Sequence, residues 1–163
     1  MKRLTLLRHA KAGWDAPVAR DFDRPLNAKG RRAARTIGRH MREEGLVFDH
    51  VIASPAARVV ETLDEVADGY GRSLRPALER RVYLASADTL LDVIHDAPEG
   101  AESLLLGGHN PGMEELVLLL VPDGTCGGRD AVEDKFPTAS LAEIRFDAHS
   151  WEDLKPGSGT LTR

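Results

Sequence analysis

With 163 residues, 42% of them hydrophobic and 29% charged, the chain has the size and composition of a single globular domain that can bury a core. A net charge of −4 argues against nucleic-acid and membrane-surface partners, while leaving room for a small basic pocket. The lone Cys126 excludes an internal disulfide and a multi-cysteine metal site. The apolar run behind Lys2 and Arg3 is cut by Arg8, too early for a signal peptide or a membrane span, so a soluble, cytoplasmic protein is expected.

Residues 3–8 form an apolar, β-prone strand that ends abruptly in Arg8-His9-Ala10-Lys11. Residues 12–27 carry Gly13, Pro17 and Pro25 among charges and read as loop. Asn27 is a candidate N-cap for a helix from Ala28 to about Glu44, with Ala33/Ala34, Ile37 and Met41 at helical spacing and Gly45 as its stop. The arginines on its other face read as a solvated surface.

A second buried strand over 48–53 runs into Ser54-Pro55-Ala56-Ala57-Arg58. Ser54 is the expected N-cap and Pro55 the first helical residue of a helix reaching Gly69, which puts Arg58 in its first turn. An anion there meets free N–H groups, the positive end of the helix dipole and a guanidinium together.

A short strand near 74–78 is broken by Pro76, and a helix over 89–97 has Asp88 as its expected cap. Residues 102–106 form a third clear strand, ending in Gly107-Gly108-His109-Asn110-Pro111-Gly112, with Pro111 opening a helix through Leu116, Leu119 and Leu120. Glycines let backbone pass close to a ligand, and a histidine at such a switch points to function. Residues 122–137 read as a Gly- and Asp-rich loop, 139–146 as a strand, and 147–163 as an irregular tail with one edge strand.

Three strand ends thereby present Arg8-His9, Arg58 and His109 on the C-terminal edge of a parallel sheet, where open α/β sheets bind ligands. A neutral imidazole is a competent nucleophile near neutral pH, and guanidinium groups grip phosphoryl oxygens in pairs. Two histidines and two arginines without a nearby carboxylate cluster suit phosphate better than a divalent ion, and a zinc site lacks its third ligand.

Leu7-Arg8-His9-Ala10-Lys11, Ser54-Pro55-Ala56-Ala57-Arg58 and Gly108-His109-Asn110-Pro111-Gly112 together resemble, in order and spacing, the three signatures of the histidine phosphatase superfamily. Ala10 stands where the family usually has glycine. That change, the Lys11-Ala12 after it, Arg24-Pro25-Leu26, the Phe136-Pro137-Thr138-Ala139-Ser140 stretch and the short length make the chain most similar to the small SixA-like phosphohistidine phosphatases.

The resemblance implies a three-layer α/β/α fold with a mostly parallel sheet, phosphoglycerate mutase-like, spanning 1–163. It implies a phosphatase without metal or cofactor in which His9 is the phosphorylated nucleophile and Arg8, Arg58 and His109 surround the phosphoryl oxygens. The expected substrate is a phosphohistidine protein; the alternatives are a small phosphate ester or a phosphate-binding module without turnover. For the general acid that larger members carry, Glu79 and Asp88 are both candidates, and the sequence does not choose between them.

Overall fold

The computed structural model describes residues 1–13, 20–122, 132 and 137–162. The expected loop over 122–137 and Cys126 fall almost wholly outside them. Six strands form one sheet in the order β3-β2-β4-β1-β5-β6. They are β1 (Lys2–Arg8), β2 (His50–Ala53), β3 (Ala77–Leu78), β4 (Ser103–Gly108), β5 (Leu141–Phe146) and β6 (Gly159–Leu161).

The first four strands run parallel, while β5 lies antiparallel to β1, and β6 antiparallel to β5. The sheet is therefore mixed and mostly parallel. All six residues of β4 are buried, as a central parallel strand covered on both faces requires.

Alternation along the strands builds two apolar layers. Leu4, Leu6, Leu104 and Leu106 face the helices α3 (Ala87–His95) and α4 (Gly112–Leu120). Leu7, Val51, Ala53 and Leu105 face α1 (Ala28–Glu43) and α2 (Ala57–Tyr70). The three-layer architecture follows.

The first helix begins as expected, with the Asn27 side chain accepting from the Gly30 N–H at 2.7 Å. It then meets α2 backbone to backbone. A methyl group placed on Gly38 would sit 2.1 Å from the Val66 carbonyl oxygen, and one on Gly69 would sit 2.1 Å from that of Arg35. Only hydrogen fits at this seam.

Several boundaries differ from the sequence reading, and those at the ends of α2, α3, α4 and β4 bear on the site. Helix α2 starts at Ala57 with Ala56 at its N-cap, so Ser54 and Pro55 lie outside it. The Ser54 backbone N–H still continues the sheet pattern, donating to the Gly107 carbonyl, and this keeps the corner extended. Helix α3 is capped by Ser86, which accepts from the Thr89 N–H, and Asp88 sits in its first turn instead. Pro111 caps α4 rather than opening it, and β4 runs two residues beyond Leu106, to Gly108.

Candidate active site

The parallel strands β1, β2 and β4 end side by side and deliver the four expected residues to one cleft of about 450 Å³. Arg8 closes β1, and His9 follows as the chain leaves the sheet. The His9 N–H donates to the Gly108 carbonyl, and its own carbonyl accepts from the Ala139 N–H, both at 3.0 Å. The backbone is thus fixed by the end of β4 on one side and by the turn that leads into β5 on the other. The buried Ala10 N–H donates to Thr62 Oγ1 at 2.9 Å, and that hydroxyl donates to the Arg58 carbonyl at 2.6 Å. One side chain on α2 therefore ties the His9 turn to the Arg58 turn.

His9 is only 9% exposed. Its Nδ1 lies 2.7 Å from the Ala10 carbonyl oxygen. A carbonyl can only accept, so Nδ1 carries the proton and Nε2 keeps a lone pair. Its ring centroid is 5.3 Å from that of His109. His109 Nε2 is 2.8 Å from Ser54 Oγ, and its Nδ1 is buried without a protein partner. Arg58 is 2% exposed; its Nη1 donates to the Asp21 carbonyl at 2.8 Å and its Nη2 to Asp21 Oδ2 at 2.9 Å.

Burial sets the protonation of this cluster. Desolvation above all pulls the His9 pKa down to about 4; the Ala10 carbonyl raises it, and the positive charges of Arg58, Arg8 and Arg24 lower it further. Desolvation, with Arg58 and His9 adding to it, takes His109 down to about 3. Both rings are neutral at pH 7, while burial lowers the Arg8 pKa without discharging it.

These shifts fix a stability trend. A histidine whose folded pKa lies below its unfolded value near 6.5 binds fewer protons in the native state, so stability falls as pH drops from about 6.5 toward 4. Each ring contributes a slope of at most about 1.4 kcal/mol per pH unit. Denaturant unfolding between pH 6.5 and 4.5, above most carboxylate titration, should show this fall, and His109→Asn should reduce it. An unchanged slope in that variant would contradict the burial of a neutral His109.

A family model described as "Histidine phosphatase superfamily (branch 1)" matches residues 4–82. An uncharacterised protein of Mycobacterium tuberculosis strain H37Rv is 32% identical over 160 residues, covering 95% of this chain and 96% of its own. The chain belongs to the histidine phosphatase superfamily.

Two further relatives carry more specific names. The solved structure of a candidate phosphohistidine phosphatase SixA from Nakamurella multipartitia superposes with a TM-score of 0.84 at 29% identity, covering 99% of this chain and 94% of that one. Phosphohistidine phosphatase SixA of Escherichia coli K12 is 27% identical over 160 residues, covering 96% of this chain and 88% of its own.

Within this member of the histidine phosphatase superfamily, neither carboxylate considered as an acid lines the cleft. Glu79 faces a separate depression beside Arg81 and Asp96, and hydrogen bonds from Arg81 hold its pKa down. Asp88 borders a third hollow on the outer side of α3 and α4.

Among the described residues the carboxylate that does enter the cleft is Asp21, from the stretch over 12–27 that reads as loop. Partial burial pushes its pKa up, but hydrogen bonds from the Tyr83 hydroxyl and Arg58, with the charges of Arg58 and Arg24, outweigh that and lower it. Asp21 is ionised and fully engaged. Ser54 and Tyr83 were also missed as site residues: Ser54 reads as a cap, and Tyr83 gives no signal of its edge-on contact with His109 at 5.4 Å.

Proposed function

We propose that this protein is a metal-independent phosphatase that hydrolyses phosphohistidine on a partner protein through a phosphorylated His9. The observation that carries the reading is the His9 Nδ1–H bond to the Ala10 carbonyl, which leaves the nucleophilic lone pair on Nε2. That nitrogen belongs to a cleft shared with Arg8, Arg58 and His109.

In the first transfer, His9 Nε2 bonds to phosphorus as the substrate's P–N bond breaks. The departing imidazole, already protonated on its far nitrogen, takes the electron pair and leaves neutral. His9 keeps its Nδ1–H against the Ala10 carbonyl, so the phosphorylated ring is cationic and poised to leave in turn. Water then forms a P–O bond, the P–Nε2 pair returns to His9, and the two water protons remain with dihydrogen phosphate.

Throughout, Arg8 and Arg58 stand over the equatorial oxygens, where charge concentrates in phosphoryl transfer. Ser54 Oγ already accepts from the Ala56 N–H. With the Ser54 hydroxyl donating to His109 Nε2, the proton of the neutral ring sits on Nδ1, a further donor to the phosphoryl group.

Among the described residues no unengaged acid lines the cleft, which favours phosphoramidates over alkyl esters. The three carboxylates considered are either tied to arginines or outside it. Brief mixing with a labelled phosphohistidine protein should leave acid-labile, alkali-stable phosphate on the chain. Turnover with no such phosphate, at mixing times that resolve a single cycle, would overturn the covalent route.

A further inference from the structure

Leu84 lies in the wall of the phosphoryl cleft, yet it is 55% exposed and belongs to neither apolar layer. Its backbone is left-handed, with φ of 50°. That conformation is strained for a leucine and persists only where the surroundings enforce it.

The enforcement is visible on both sides. Tyr83 is packed edge-on against His109 and Phe22, and its hydroxyl donates to Asp21 at 2.8 Å. The Ala85 carbonyl lies so close to the start of α4 that a methyl on Gly112 would sit 2.0 Å from its oxygen. The corner is clamped between the cleft and α4. An apolar side chain is thereby held at the cleft mouth, in a conformation a glycine would adopt without strain.

We propose that Leu84 is the surface on which the leaving group lies, and that it selects flat, ring-shaped leaving groups over small polar ones. This rests on the phosphatase reading above. As the substrate's P–N bond breaks and the bond to His9 Nε2 forms, the imidazole departs as a neutral ring. Apolar surface accommodates the flat face of a ring better than a small polar or heavily hydroxylated group. Arg8, Arg58 and His109 address only the phosphoryl oxygens and are indifferent to what leaves. Discrimination among leaving groups therefore falls to the rim.

The test compares kcat/KM for a phosphohistidine peptide, p-nitrophenyl phosphate and phosphoramidate, the last having the P–N bond without a ring. Leu84→Gly removes the apolar contact and relieves the backbone strain, so folding should be retained, and Leu84→Met restores a comparable apolar surface. Loss of one apolar contact in a binding pocket is worth about ten-fold or more. Leu84→Gly should lower kcat/KM about ten-fold for both ring substrates, leave phosphoramidate within two-fold, and be rescued by Leu84→Met.

An equal loss on all three substrates makes Leu84 a structural residue and overturns the proposal. No loss on any of them overturns it as well. Should the unmodified protein hydrolyse none of the three, the phosphatase reading itself falls and takes this proposal with it.

Discussion

Replacing His9 with alanine is expected to lower kcat by more than about 10⁴-fold, the scale on which enzymes lose activity when the covalent nucleophile is removed. The remaining cations would still hold the phosphoryl group, but water would have to attack it directly. Folding should survive, because the His9 side chain belongs to neither apolar layer and its one hydrogen bond is to the adjacent residue. Steady-state rates with thermal unfolding check both halves, and competitive inhibition by vanadate in the unmodified protein reports the cation cage. A folded His9→Ala protein retaining a tenth of the activity would remove His9 as nucleophile.

The second large effect concerns what leaves. Rates across a series of phosphate esters should fall steeply as leaving-group pKa rises, with alkyl phosphates slower than aryl ones by a factor of about 10² to 10⁴, the usual worth of general acid assistance. Phosphohistidine should remain fast, since its ring takes its proton from solvent before departure. The structural basis is Asp21, whose carboxylate is held ionised by Arg58 and Tyr83 and has no proton to give. A flat series would show that an effective acid exists. Asp21→Asn would then abolish the flatness if that residue supplies it.

Arg8, His9, Arg58 and His109 were legible in the sequence because each follows or ends a strand, and strand ends on one edge of a parallel sheet converge whatever the side chains between them. The contacts that tune them were not. Asp21 reaches Arg58 across 37 residues and Tyr83 across 62, and no local pattern records such a pairing. Ser54 carried a signal that pointed elsewhere: a serine before proline reads as a cap, whereas here its hydroxyl turns to His109. Ser86 and Asp88 are both good caps, and spacing alone could not rank them. Alternation over 139–146 identified a strand without giving its direction, so the antiparallel β5 emerged only in the sheet.

The glycine seam between α1 and α2 has a consequence for how such a protein can lose activity over generations. Helix α2 carries both Arg58 and Thr62, the latter gripping the turn after His9. A single added methyl at Gly38 or Gly69 would act as a wedge, prising the helices apart and shifting that grip from a distance. Random mutagenesis followed by a search for heat-labile or weakened variants would thus return these two positions alongside the cleft residues. Drift at the seam is as confined as drift at the chemistry, though no substrate ever touches it.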